Sequence, residues 1–142
     1  MTADEVVPNL WVGSAPLPAD IEFLNTFDTV VFAADTYQPD LIRGFRKTAI
    51  RCGIDDHQIT EVEKRRVLEC AKMVADRLFR GQKVLCTCIS GWNRSSLVAA
   101  LAMKLITPYS TEEIIDLIRA ARGDSALSNW SFVGFLGEQS PF

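Results

Sequence analysis

Val84-Leu85-Cys86-Thr87-Cys88-Ile89-Ser90-Gly91-Trp92-Asn93-Arg94-Ser95-Ser96-Leu97-Val98 carries more structural information than any other stretch of the chain. A short apolar run leads into a polar segment holding one glycine, and that segment leads into residues that are apolar on nearly every side. The order is that of a buried strand, a tight loop and a buried helix. Where strands of a parallel sheet turn into helices, ligands bind beyond the carboxyl ends.

Outward from this unit, apolar runs bounded by turn residues predict strands at Leu10 to Val12, Thr29 to Ala34, Ala49 to Gly53 and Lys83 to Thr87. Thr60-Glu61-Val62-Glu63 has the spacing of a capping box. Val67, Ala71, Val74 and Leu78 then recur every three or four residues, so a helix is expected over Thr60 to Arg80. Ser110-Thr111-Glu112-Glu113 repeats the capping box ahead of a helix that stops at Gly123. Arg94 to Ile106 forms the buried helix, a last helix begins near Ser128, and a weaker one covers Pro18 to Thr26. Strands alternating with helices give an α/β fold with a central, mostly parallel sheet of four or five strands and helices on both faces.

The chain has 142 residues, 48% hydrophobic and 23% charged, which suits one folded domain over its whole length and excludes disorder. Fifteen Lys and Arg against 18 Asp and Glu give a net charge of −3, so general attraction to nucleic acid is not expected. The longest charge-free stretch, Val6 to Ala19, is 14 residues interrupted by three prolines and is too short to cross a bilayer. The opening Met1-Thr2-Ala3-Asp4-Glu5 lacks the basic start of a secretory signal. A cytoplasmic monomer without membrane partners is therefore expected. Cys52, Cys70, Cys86 and Cys88 then read as reduced thiols rather than a disulfide framework. The N-x-S matches at Asn93 and Asn129 carry no meaning in that compartment.

A short loop wrapped at a helix N-terminus can aim successive backbone N–H groups inward and form an anion nest, which the helix dipole strengthens. Ile89, Ser90, Gly91, Trp92 and Asn93 supply the amides, and Gly91 gives the backbone the freedom to close. Arg94 adds a planar fork that matches two phosphate oxygens. Cys88 sits on the floor of the same field, which favours its thiolate, and a thiolate beside a phosphate cradle is a nucleophile aimed at phosphorus.

Cys88, five intervening residues, Arg94 and the hydroxyl of Ser95 resemble the Cys-x5-Arg-Ser/Thr signature of the cysteine-dependent protein tyrosine phosphatases, in their compact dual-specificity branch. Asn9-Leu10-Trp11-Val12-Gly13-Ser14-Ala15 is similar to the opening strand of that branch, and Ser128-Asn129-Trp130-Ser131-Phe132 to its C-terminal Pro-Asn-x-x-Phe element. The resemblance implies that Cys88 forms a phosphocysteine, that Arg94 and the loop amides hold the phosphate oxygens, and that Ser95 assists the departing thiolate. It implies that Asn129 supports the loop, and it implies no metal or other cofactor. The resemblance also implies a general acid after the strand that precedes the long helix, a role it gives to Asp56, 32 residues before Cys88, with Asp55 as the alternative. The chain departs from the family at Thr87, which stands where a histidine usually precedes the cysteine; its hydroxyl is expected as a supporting group in the ring's place, although it cannot carry charge.

Other residues carry competing readings. Cys86 is expected on the same face of its strand as Cys88, with Cys52 on a neighbouring strand. They read either as small hydrophobes of a buried sheet or as partners for an oxidised Cys88. A zinc site of Cys52, Cys86, Cys88 and His57 lacks the paired spacing of structural zinc sites. Trp92 is expected at the surface of the loop, His57 as a partly exposed loop residue, and Arg122 as a surface charge ending its helix. Ile89, Ser90, Trp92 and Asn93 add no cation, so a single phosphomonoester is favoured: a phosphorylated protein, first on tyrosine and then on serine or threonine, or a small phosphomonoester. A non-catalytic phosphate-binding module, an arsenate reductase and a sulfurtransferase are the competing functions.

Overall fold

The computed structural model describes residues 1–34, 38 and 43–139. Five strands form one sheet: β1 (Ala3–Val7), β2 (Leu10–Gly13), β3 (Thr29–Phe32), β4 (Thr48–Arg51) and β5 (Val84–Thr87), in the order β1-β2-β5-β3-β4. Only β1 runs antiparallel, joined to β2 through Pro8 and Asn9, the latter at φ 71°. The apolar runs of the sequence predict four of these strands, β2 to β5. The polar alternation of Ala3 to Val7 hides β1, because as the sheet's edge it buries little more than Val6.

The register places β5 at the centre. Gly13 and Phe32 are both aligned with Thr87, so β2, β3 and β5 end together, and the loop carrying Cys88 emerges from that shared edge. Side chains alternate along β5. Val84 and Cys86 join the larger core together with Cys88, whereas Leu85 faces the smaller one.

The two layers are unequal. The larger core packs helices α2 (Glu61–Phe79), α3 (Arg94–Ile106), α4 (Thr111–Arg122) and α5 (Trp130–Glu138) on one face of the sheet. The opposite face is covered by the four-residue α1 (Ile21–Leu24), a 3-10 turn before it, and the edge-to-face cluster of Trp11, Phe23 and Phe27. Both capping boxes form as expected: Thr60 accepts from the N–H of Glu63 at 3.2 Å, and Ser110 from that of Glu113 at 3.1 Å. Helix α3 is buried continuously from Ser95 to Lys104, as its all-round apolar sequence requires.

Candidate active site

Cys88 is 2% exposed, with its sulfur at the bottom of the loop that follows β5. The N–H of Gly91 donates to Sγ at 3.2 Å, and Oγ of the fully buried Ser95, in the first turn of α3, lies 3.2 Å from the same sulfur. Sulfur, hydroxyl and helix N-terminus are thus in one place, as the spacing from Cys88 to Ser95 predicts.

The loop keeps its amides inward by having its carbonyls held outward. Ile89 O accepts from the N–H of Ala15 at 3.0 Å, and Trp92 O from that of Leu127 at 2.8 Å. Between them, Ser90 O and Gly91 O accept from Nη2 and Nε of Arg122 at 3.1 and 3.2 Å. Every peptide among the described residues is trans, and in a planar trans peptide the N–H points opposite to the C=O. Four outward carbonyls therefore turn the N–H groups of Ser90, Gly91, Trp92 and Asn93 toward the space above Cys88. That ring of donors is suited to an oxyanion.

Two glycines make the closure possible. Gly91 has φ +73°, and a Cβ there would stand 2.6 Å from the backbone carbon of Gly13 and 2.5 Å from Arg122 Nη2. At Gly13, the last residue of β2, a Cβ would stand 2.8 Å from Thr2 O and 3.0 Å from Ala3 Cβ. The sequence identifies Gly91 by its conformational freedom, whereas Gly13 is required by close backbone approach.

Arg122 corrects the expectation of a surface charge. Its side chain is 5% exposed, and besides the two carbonyls it donates to Oδ2 of Asp4 on β1 at 2.7 Å. Nothing in the local sequence separates it from any basic residue closing a helix.

Asp55, Asp56, His57, Ile89 and Arg94 line a cleft of about 600 Å³ over the loop. Asp56 is tied to both sides of it: Oδ2 accepts from Asn93 Nδ2 at 3.1 Å and Oδ1 from Asn129 Nδ2 at 2.8 Å. Asn129 is also the cap of α5, accepting from Phe132 N–H, and its own N–H donates to Asn93 Oδ1 at 3.0 Å. Helix cap and loop support are therefore the same residue.

Glu63 completes this side. It is buried and accepts from the N–H of Asp55 at 2.8 Å and from both the N–H and the hydroxyl of Thr60. Burial raises its carboxyl, but the donors from Asp55 and Thr60 outweigh it and hold the group below its ordinary range. His57 faces Asp55, Nε2 to Oδ2 3.4 Å, with its side chain half exposed as expected; the Gln58 carbonyl at its other nitrogen, followed by Glu63, raises its pKa. The ligating atoms of Asp55, His57 and Glu63 lie within 4.8 Å of one another, whereas Cys52, Cys86, Cys88 and His57 form no such cluster among the described residues.

Thr87 is buried and turned away from the loop. It donates to Val31 O at 2.7 Å and accepts from Gln38 Nε2 at 2.9 Å, while Gln38 Oε1 accepts from Ala34 N–H. In place of a charged ring, the residue before Cys88 pins β5 to β3. Cys52 is not beside β5, because β3 intervenes; it contacts Cys70 of α2 instead. That contact and burial raise the Cys70 thiol, and burial raises the Cys86 thiol. All four cysteines are free thiols. Trp92 is half exposed, as expected of a loop-surface residue.

No family model and no curated protein matches the chain in sequence. Solved structures do. Tk-PTP in its active form superposes with a TM-score of 0.82 at 20% identity, over 96% of this chain and 94% of that one. A mouse putative dual specificity phosphatase gives 0.76 at 19% identity, over 94% and 83% of the two chains. The fold is that of the dual-specificity phosphatases. A human tyrosine phosphatase-like serine/threonine/tyrosine-interacting protein shares it too, with a TM-score of 0.80 at 16% identity over 96% and 93%. The dual-specificity phosphatase fold places the Cys88 loop, Arg94 and the Asp55-Asp56 turn around one cleft. Among the described residues no helix is long and apolar enough to cross a membrane.

Proposed function

We propose that the protein is a phosphomonoester hydrolase that removes phosphate from phosphorylated proteins, on tyrosine first and on serine or threonine second, through a phosphocysteine. The observation that carries this reading is the ring of inward amides closed over the sulfur of Cys88. A fold alone does not select an activity, and here it is shared with a protein named as tyrosine phosphatase-like and serine/threonine/tyrosine-interacting, so the site has to make the argument.

Cys88 Sγ attacks phosphorus and the bond to the leaving oxygen breaks. The loop amides and Arg94 take up the charge of the equatorial oxygens. Asp56 gives its proton to the departing oxygen and then, as carboxylate, takes one from the water that attacks the phosphocysteine. Phosphate leaves as the sulfur regains its electron pair, and Ser95 Oγ donates to it. One guanidinium among the described residues lining the cleft suits one phosphate, and Asp55 and Asp56 on its rim repel further ones.

Hydrolysis of p-nitrophenyl phosphate tests the reading. Turnover in EDTA, inhibition by orthovanadate and complete loss in Cys88→Ser are expected. Phosphate binding without turnover would make the chain a binding module. Turnover of arsenate or of a sulfur donor in place of the phosphomonoester would make it a reductase or sulfurtransferase.

A further inference from the structure

We propose that Arg122, fixed by Asp4, is the positioning residue that turns the two central peptides of the loop, so that they present N–H groups rather than carbonyls above Cys88. The inference deepens the phosphatase reading and rests on it for its kinetic consequences, although the loop geometry stands by itself.

Of the four outward carbonyls, the outer two are held by backbone amides at the end of β2 and ahead of α5. The inner two, Ser90 O and Gly91 O, rest on Arg122. They flank the residue with the left-handed φ, where a peptide can flip at least cost. If Ser90 O turned inward, the Gly91 N–H that donates to Cys88 Sγ would turn away, and a carbonyl dipole would face the incoming phosphate instead. A planar fork is needed, because Nε and Nη2 must reach two carbonyls while Nη1 reaches Asp4. Lysine has one nitrogen and cannot span them. Asp4 gives the buried cation its counter-charge, and the hydroxyl of Thr2 accepts from the same group at 3.4 Å. The edge strand thereby sets the geometry of a loop far from it in sequence.

The test uses the full chain with Arg122→Lys and Asp4→Asn, and with Lys104→Met as a control. Lys104 is a buried cation at the opposite end of α3, donating to Gln139 O at 3.2 Å. In both test variants the inhibition constant for orthovanadate should rise about tenfold and kcat should fall about 10- to 100-fold, with KM changing less. Lys104→Met should lower Tm with neither effect. The Gly91 amide should exchange with solvent at least roughly tenfold faster in the test variants, while the Leu97 amide of α3 is unchanged. Lower Tm with unaltered orthovanadate binding and Gly91 exchange would reduce Arg122 to a structural ion pair and overturn the proposal. A parent protein without turnover would sink the phosphatase reading only, because Gly91 exchange still reports on the loop.

Discussion

Asn93 and Asp56 are joined by a hydrogen bond in which Nδ2 of the loop residue donates to Oδ2 of the carboxylate at 3.1 Å. The candidate acid is therefore coupled to the phosphate loop itself, and Asn129 holds its other oxygen. Asp55, half exposed and facing His57, has no such tie. Asp56→Asn should lower kcat about 10²- to 10⁴-fold at neutral pH, and Asp55→Asn should lower it by less than about tenfold. Steady-state kinetics of the two variants decide; the reverse order would move the acid to Asp55.

Ser95 Oγ stands 3.2 Å from the sulfur and is buried. Its part falls in the second step, when the thiolate leaves phosphorus. Ser95→Ala should keep the first turnover and slow the steady state about 10- to 100-fold, so that a burst of p-nitrophenol appears in stopped flow.

Gly91→Ala should abolish activity outright, because the added Cβ meets the backbone of Gly13 within 2.7 Å in a conformation that alanine avoids. A crystal structure or NMR spectrum of the variant should locate the change in the loop, with the sheet intact. Parent-like kinetics would mean that the loop adopts another conformation in solution.

Glu63 gives a pH dependence of defined sign. Its carboxyl is lowered from 4.5 in the folded chain, so its contribution to stability is complete above that value and is lost as pH falls through the folded pKa. Glu63→Gln, which replaces one of the oxygens that accept from Asp55 and Thr60, should cost about 1 kcal/mol near neutrality. Denaturant unfolding of parent and variant should show the gap narrowing as pH drops below 4.5.

Much of this was legible in the sequence because it rests on local rules. The helix Arg94–Ile106 coincides with its expected bounds, and the Thr60 and Ser110 boxes cap as read, since apolar periodicity and capping are short-range. The distance from Cys88 to Ser95 places thiol and hydroxyl together because one loop joins them. What escaped depends on contacts between segments far apart in the chain. Strand β1 is an edge with little apolar signal, Gly13 is needed only because Gly91 meets it, and Arg122 is defined by carbonyls about 30 residues away. Glu63 was legible as a cap, but its grip on Asp55 was not.

Strand β1 carries a practical corollary for anyone preparing the protein. Asp4 of this strand and Thr2 just ahead of it reach the guanidinium behind the loop. A fusion placed at this end of the sheet would disturb the guanidinium behind the loop first, and rate constants measured on such a fusion would partly report the fused segment. Removing the tag before assay, or comparing cleaved and uncleaved material, is the appropriate precaution.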